Sequence, residues 1–159
     1  MNEPLAVPII DLSDSQAAEL VSSACENWGV FRVINHGISL ELHDQAENQT
    51  MKLFSLPGDR KVLAARSYGG ILGYGLALMS TYFQKVMWLE GFIMSGSPME
   101  HAIRLWPDHE EDRTSFCDVF VKYQKEMKSL SEKLIEVMFS STGVDLGEEL
   151  PWMKLRLLY

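Results

Sequence analysis

The stretch WGVFRVINHG, residues 28–37, decides the fold of the first part of this chain. Trp28 and Gly29 end a helical pattern, and Gly29 suits the left-handed position at which many α-helices stop. The residues after it, Val30–Asn35, predict a buried strand, because they are rich in β-branched and aromatic side chains. His36-Gly37 then bounds that strand with a turn. A helix that passes through a glycine into a strand indicates an α+β fold.

Helices are predicted on both sides of this stretch. The first runs from about Ser15 to Asn27, and Ser13-Asp14 are expected to cap it. A second starts near Ser39 and ends between Phe54 and Pro57. The longest runs from an N-cap at Asp112 to about Ser141, and one of its faces carries a continuous apolar stripe: Phe116, Val119, Phe120, Tyr123, Met127, Leu130, Leu134, Val137 and Met138. The chain is therefore expected to be a helix-rich α+β protein.

Short strands and loops fill the rest of the sequence. Pro8–Leu12 and Met87–Met94 are strand candidates, and Leu155–Tyr159 looks like the start of another strand. Pro57-Gly58-Asp59 predicts a turn. Residues 66–75 include four glycines, which favours a loop over a helix or a strand interior.

Length and composition limit the function classes. The 159 residues suit one globular domain, and a formal net charge of -8 argues against nucleic-acid binding and against a polybasic membrane-surface site. No apolar stretch approaches the length of a membrane span. Cys25 and Cys117 have no metal-ligand spacing and are expected to be reduced. We expect a soluble protein in the cytoplasm, with the nucleus as a further compartment, whose partners are small molecules or proteins.

The sequence contains no complete set of catalytic or metal-binding residues. A non-haem iron site needs two histidines and one carboxylate, and the four histidines show no such grouping. His43 and Asp44 are adjacent on a predicted helix, where neighbouring side chains point about 100 degrees apart, so they are not expected to share a metal. His109 precedes Glu111 by two positions but lacks a second histidine nearby. The residues thus predict no catalytic and no metal site.

Several segments together resemble the opening of the plant 2-oxoglutarate- and Fe(II)-dependent dioxygenases. These are residues 7–12 (VPIIDL), 24–25 (AC), 27–31 (NWGVF), 33–38 (VINHGI) and 54–57 (FSLP), followed by Lys61. In the middle of the chain, residues 73–75 (GYG), 87–92 (MWLEGF), 96–98 (GSP) and 105–107 (LWP) resemble the gibberellin 3-beta-hydroxylases within that family. The resemblance covers nearly the whole chain, from about Pro8 to Tyr159.

The resemblance implies a fold, cofactors and a substrate. Residues 1–107 would form the N-terminal domain of a non-haem dioxygenase, and residues 108–159 would be the long helix that leads toward a jelly-roll, double-stranded β-helix core. The family uses Fe(II), 2-oxoglutarate and ascorbate, through a His-x-Asp pair, a distal His and an Arg-x-Ser; the resemblance places this catalytic set downstream of the segments quoted above, so we expect this chain to lack it. A gibberellin would be the substrate, and Tyr74, Phe92 and Trp106 are the candidate substrate contacts.

Three functions stay open at this stage. The chain is the N-terminal portion of such an enzyme, most similar to the gibberellin 3-beta-hydroxylases or to another plant 2-oxoglutarate-dependent oxygenase, and is inactive alone. Alternatively, it is a non-catalytic interaction module that binds a protein partner through an exposed apolar stripe on the 113–141 helix. The third hypothesis is a new metal enzyme that uses His101, His109 and Glu111.

Overall fold

A computed structural model of the chain describes residues 6–67, 70–76, 89–140 and 155–158. The chain divides into two compact units. The first unit comprises Met1–Ser39 with Glu126–Trp152, and the second comprises Leu40–Lys125 with Met153–Tyr159. The predicted domain boundary at residue 107 concerns the family's organisation and stays a prediction.

The first unit is built around a parallel pair of strands joined by a helix. The order is β1 (Ile9–Asp11), α1 (Ala17–Asn27) and β2 (Arg32–Ile34). Ile9 pairs with Arg32, and the register continues to the end of both strands. One face of this sheet is buried, and its core contains four residues with Val137 and Met138 packed against them: Ile10, Ala17, Val21 and Ala24. The α+β prediction agrees with this arrangement.

Gly29 ends α1 as the sequence indicates. Its φ of 67° lies in the left-handed region. Its N–H donates to the carbonyl oxygens of Ala24 and Cys25 at 3.1 and 3.2 Å, which satisfies groups at the helix end.

Two predictions for this unit are wrong. Ser13-Asp14 do not cap α1, because both side chains are engaged in the preceding turn: Ser13 Oγ donates to Asp11 Oδ1, and Asp14 Oδ1 accepts from the Gln16 N–H. The helix accordingly starts later than predicted, at Ala17, with no side-chain cap. The strand β2 is not buried either, since Arg32 and Ile34 are exposed and Val33 is half-buried.

The second unit combines helices with a three-stranded antiparallel sheet of order β3-β4-β5. Its elements are, in chain order, α2 (Leu40–Phe54), α3 (Gly58–Lys61), a 3-10 turn (Val62–Ala64), β3 (Gly73–Leu76), β4 (Glu90–Met94), α4 (Pro98–Leu105), the first half of α5 (Glu110–Ser140) and β5 (Leu155–Leu158). The second half of α5, from Glu126, belongs to the first unit. One apolar cluster fills it: Ala46, Leu53, Phe54, Ala64, Phe92, Met94, Ala102, Leu105, Trp106, Phe116, Cys117 and Phe120. The predicted strands near residues 90 and 155 are present, whereas Met87 and Trp88 lie outside the described residues.

The glycine-rich segment ends in a strand, so its prediction as a loop is wrong for residues 73–75, while residues 66, 67 and 70–72 form neither helix nor strand. Gly73 has a φ of 103°, and a Cβ there would collide with the carbonyl oxygen of Ala64. Glycine therefore lets β3 approach the 3-10 turn more closely than any other residue could. Glycine occurs at position 73 because the backbones of β3 and the 3-10 turn meet there.

Helix boundaries differ from the predictions at two more places. Pro57-Gly58-Asp59 does not form a simple turn, because Gly58 begins the one-turn helix α3 after Pro57. The long helix starts at Glu110, so Asp112 lies within its first turn rather than at its N-cap. Three acidic residues in that first turn, Glu110, Glu111 and Asp112, interact favourably with the positive end of the helix dipole.

The apolar stripe of α5 is buried or half-buried, so the prediction that it is exposed is wrong. Phe116 and Phe120 are fully buried, and Val119 and Tyr123 pack against the core of the second unit. Further along, Val137 and Met138 pack against the core of the first unit, and Met127, Leu130 and Leu134 are half-buried. The observation that favoured a protein partner on the 113–141 helix is therefore absent from the described residues.

Among the residues that the structure describes, no helix combines the length and the apolar character that crossing a membrane requires.

Candidate functional site

The three predicted substrate contacts lie in one place, the core of the second unit. Tyr74 on β3 pairs with Phe92 on β4 in the antiparallel ladder. Trp106, directly after α4, packs its ring 5.1 Å from the ring of Phe116. Phe92 is fully buried and Trp106 is 6% exposed, so only Tyr74 reaches the surface. The structure places these residues in or against one apolar cluster, and their contact with a substrate stays a prediction.

Lys61 joins the helices of this unit to its sheet. Its Nζ donates to the carbonyl oxygen of Phe54 at 3.1 Å and to Glu90 Oε2 at 2.6 Å. The same Nζ lies 5.4 Å from the centre of the Tyr74 ring, within range of a cation–π contact. The Lys61 side chain is 9% exposed and that of Glu90 is 37% exposed, so the ammonium is enclosed while the carboxylate meets solvent. Lys61, Tyr74 and Glu90 form a polar cluster at the edge of the apolar core, called here the Lys61 cluster.

The environment of the Lys61 cluster keeps the Tyr74 hydroxyl protonated. Burial is the largest cause that raises the pKa of Tyr74, and the negative charge of Glu90 raises it further, while Lys61 opposes both. A phenol that stays neutral can donate one hydrogen bond and accept others. The cluster can thus orient a polar group of a bound molecule, but it contains no nucleophile with an adjacent base.

Sequence patterns could not reveal the Lys61 cluster. Lys61 and Glu90 are 29 residues apart, so neither helical nor strand periodicity connects them. Both residues belong to segments that resemble the dioxygenase family, and that was the only available signal.

A polar groove of the second unit lies between α2 and α5. It has a volume of about 710 Å³. Gln49 and Ser115 meet in it, where Gln49 Nε2 donates to Ser115 Oγ at 2.7 Å. Amide, hydroxyl and charged side chains line it: Gln45, Asn48, Gln49, Glu111, Thr114, Ser115, Asp118, Val119 and Lys122. None of the three predicted substrate contacts lines this groove, and its walls suit polar ligands better than an apolar ring system.

His43 and Asp44, adjacent on α2, approach each other on the exposed surface of the helix. His43 Nδ1 lies 3.8 Å from Asp44 Oδ1. With Glu47, one turn further along α2, they form the one metal-capable group found among the described residues, and all three are exposed. The side chains can approach because the angle between neighbouring Cα–Cβ bonds does not limit where rotatable side chains end, and the expectation that they do not share a metal stays a prediction.

The metal-capable group among the described residues does not fit the iron site of a non-haem oxygenase. That site takes two histidines and one carboxylate, whereas the His43 group offers one histidine and two carboxylates on the exposed face of one helix. His36 is engaged in its own turn, where its Nδ1 accepts from the Ile38 N–H at 3.2 Å, as expected for a turn histidine. His101 is buried against Phe92, with the two rings edge to face. No described cluster joins His101, His109 and Glu111.

Comparison with known proteins places these observations in a family. Residues 7–109 match the family described as the non-haem dioxygenase in morphine synthesis N-terminal domain. The chain belongs to this family. The match covers β1 through α4 and includes the complete Lys61 cluster.

Individual members are similar over most of the chain. Gibberellin 3-beta-dioxygenase 1 of Pisum sativum is 44% identical over 146 residues, which are 92% of this chain and 38% of that protein. The chain thus spans well under half the length of that relative. Among solved structures, the dioxygenase for auxin oxidation 1 of Arabidopsis thaliana with 2-oxoglutarate matches with a TM-score of 0.68 and 26% identity, over 89% of this chain and 52% of that one. JOX2 in complex with 2-oxoglutarate, iron and JA matches with a TM-score of 0.71 and 27% identity, over 87% of this chain and 41% of that one.

Proposed function

We propose that this chain supplies the N-terminal part of a gibberellin 3-beta-dioxygenase, an enzyme that uses 2-oxoglutarate and Fe(II) to hydroxylate gibberellins. The observation that carries the proposal is the 44% identity to the pea gibberellin 3-beta-dioxygenase over 92% of the chain. The similarity to dioxygenase structures that contain 2-oxoglutarate and iron supports the cofactors of the complete enzyme.

In this proposal the Lys61 cluster forms part of the substrate pocket. Tyr74 contacts the gibberellin, because it is the predicted contact residue that reaches the surface. Phe92 and Trp106 support Tyr74 through the core, since they belong to the apolar cluster against which Tyr74 packs. Lys61 positions Tyr74 by holding Glu90 and the end of α2 together.

These 159 residues do not catalyse the hydroxylation by themselves. The described donor groups do not fit the two-histidine, one-carboxylate site, and the sequence has no His-x-Asp pair. The iron, 2-oxoglutarate and ascorbate therefore act in the complete enzyme, and this part contributes binding and orientation. We propose the cytoplasm as its location.

An activity assay tests both statements. The purified chain with Fe(II), ascorbate, 2-oxoglutarate and a gibberellin should release no succinate above a blank, whereas the pea enzyme in the same assay should. A chimera in which this chain replaces the 146 matched residues of the pea enzyme should hydroxylate the gibberellin. Turnover by the chain alone would refute the non-catalytic role, and a folded chimera without gibberellin-dependent turnover would refute the assignment.

The contact role of Tyr74 is tested in the same chimera. Tyr74→Ala should raise KM for the gibberellin by roughly tenfold, which corresponds to about 1.4 kcal/mol of lost binding. Tyr74→Phe keeps the ring and should have a smaller effect. Equal KM values for all three proteins would show that Tyr74 only packs against the core.

A further inference from the structure

The polar groove between α2 and α5 has a fixed hydrogen-bond acceptor in its floor. Gln49 is 7% exposed, and its Nε2 donates to Ser115 Oγ at 2.7 Å, which holds the amide plane in place. No fully buried side-chain oxygen or nitrogen among the described residues lacks a hydrogen-bond partner. The Oε1 atom of Gln49 accepts from no described residue, so it is not fully buried and faces the groove that Gln49 lines. A molecule in the groove therefore meets an oriented acceptor that requires an N–H or O–H donor.

Two carboxylates lie on either side of this acceptor along α5. Glu111 precedes Ser115 by four residues and Asp118 follows it by three, so each lies about one helical turn from it on the same side of the helix. Both carboxylate side chains are exposed and line the groove. A hydrogen bond that involves a charged group is stronger than one between neutral groups, so these neighbours favour a positively charged donor. This part of the groove therefore suits an ammonium group.

Lys122 gives the groove a positive charge further along α5. Asp118 and Lys122 have the four-residue spacing at which side chains of opposite charge commonly pair on a helix. Lys128 and Glu132 have the same spacing on this helix and pair at 3.7 Å. Within the described part of the chain, however, Asp118 and Lys122 have no ion-pair partner. Each of these two charges can therefore bind a group of a ligand.

The spacing of these groups determines the length of the ligand. Lys122 lies seven residues after Ser115, which corresponds to about 10 Å along the helix axis. An extended peptide of three residues spans about the same distance, since each residue adds roughly 3.3–3.6 Å. On the opposite wall, the side-chain amides of Gln45 and Asn48 can donate to and accept from peptide groups. We propose that the polar groove binds a tripeptide with free ends, whose ammonium meets Gln49 Oε1 and whose carboxylate meets Lys122.

Titration with trialanine, followed by NMR, tests this site independently of any gibberellin turnover. The side-chain amide signals of Gln49 and Asn48 in the isotope-labelled chain should shift and saturate, with a Kd of about 1 mM. N-acetyl-trialanine lacks the ammonium and should bind about tenfold more weakly, and trialanine amide lacks the carboxylate and should bind about threefold more weakly. The molecule 8-aminooctanoate has a similar separation of charges but no peptide groups, and it should bind at least about threefold more weakly than trialanine. Equal binding of 8-aminooctanoate and trialanine would overturn the assignment to a peptide.

Substitution of the two charges provides the second measurement, because both side chains are exposed and their loss should leave the fold intact. Asp118→Asn should weaken trialanine binding about fivefold and leave the binding of N-acetyl-trialanine unchanged. Lys122→Gln should weaken trialanine binding about threefold and leave the binding of trialanine amide unchanged. The matched controls are Glu100→Gln on α4 and Lys125→Gln on α5, which are exposed outside the groove and should bind like the wild type. The absence of saturable shifts up to about 20 mM trialanine, or equal weakening in the groove variants and the controls, would overturn the proposal.

Discussion

The two compact units bury their apolar side chains very differently. Of the large side chains in the described part of the chain, seven are less than 2% exposed, and six of these belong to the second unit: Phe92, Phe116, Phe120, Leu53, Met94 and Leu105. The first unit contributes Val21 alone to this set. Its sheet has two strands of three residues in which Ile9 and Ile34 are exposed, and so small a sheet is marginal without further packing. We therefore expect the second unit to contribute more of the stability than the first.

The largest effect should come from opening the core of the second unit. Phe116 has no exposed surface, and its ring lies 5.1 Å from that of Trp106 and 4.5 Å from that of Phe120. Phe116→Ala should reduce the free energy of unfolding by about 3–5 kcal/mol. The counterpart in the first unit, Val21→Ala, removes two methyl groups and should cost roughly 2 kcal/mol. Urea unfolding followed by circular dichroism measures both. Similar losses from the two substitutions would contradict the difference between the units.

A smaller effect is expected when the Lys61 cluster is broken. Lys61→Met keeps an apolar stem but leaves the Phe54 carbonyl without its Nζ donor, which should cost about 1–3 kcal/mol. Glu90→Gln retains an oxygen that can accept from Lys61, and because Glu90 is partly solvated its cost should be below about 1 kcal/mol. Hydrogen exchange should show the loss in Lys61→Met at the amides of β3 and β4. If Glu90→Gln lowered the stability more than Lys61→Met, the ion pair with Glu90 would contribute more to stability than the hydrogen bond from Lys61 to the Phe54 carbonyl.

Local features of this fold were predictable and long-range ones were not. Gly29 ends α1 as predicted, because a left-handed helix terminus depends on one residue and its immediate neighbours. Gly73 lies in β3 and not in the predicted loop. Its close approach to the Ala64 backbone joins two elements, and a local sequence pattern does not indicate such a contact. The exposure of Ile34 likewise depends on what lies over that face of the sheet and not on the composition of β2.

The candidate site shows the same division. Family resemblance led to Tyr74, Phe92 and Trp106, and these residues do share one cluster. Their burial was not predictable, because aromatic residues in turn-rich segments line pockets and fill cores alike. The role of Lys61 came only from the structure, since its two partners are 7 and 29 residues away and on different elements.

The smallest expected effect is a pH dependence that belongs to the Lys61 cluster. Because burial and Glu90 raise the pKa of Tyr74 in the folded chain, unfolding at alkaline pH releases a proton from this residue. Its contribution to stability is therefore complete below the pKa of an unfolded tyrosine, about 10, and is lost as the pH rises further. Tyr74→Phe should flatten the decline of the urea midpoint above about pH 10 relative to the wild type. In a Glu90→Gln background the effect of Tyr74→Phe should shrink, because one cause of the shift is gone. Parallel declines in the wild type, both single variants and the double variant would mean that folding does not change the pKa of Tyr74. The Lys61 cluster would then be as open to water as the exposed residues of β2 in the first unit.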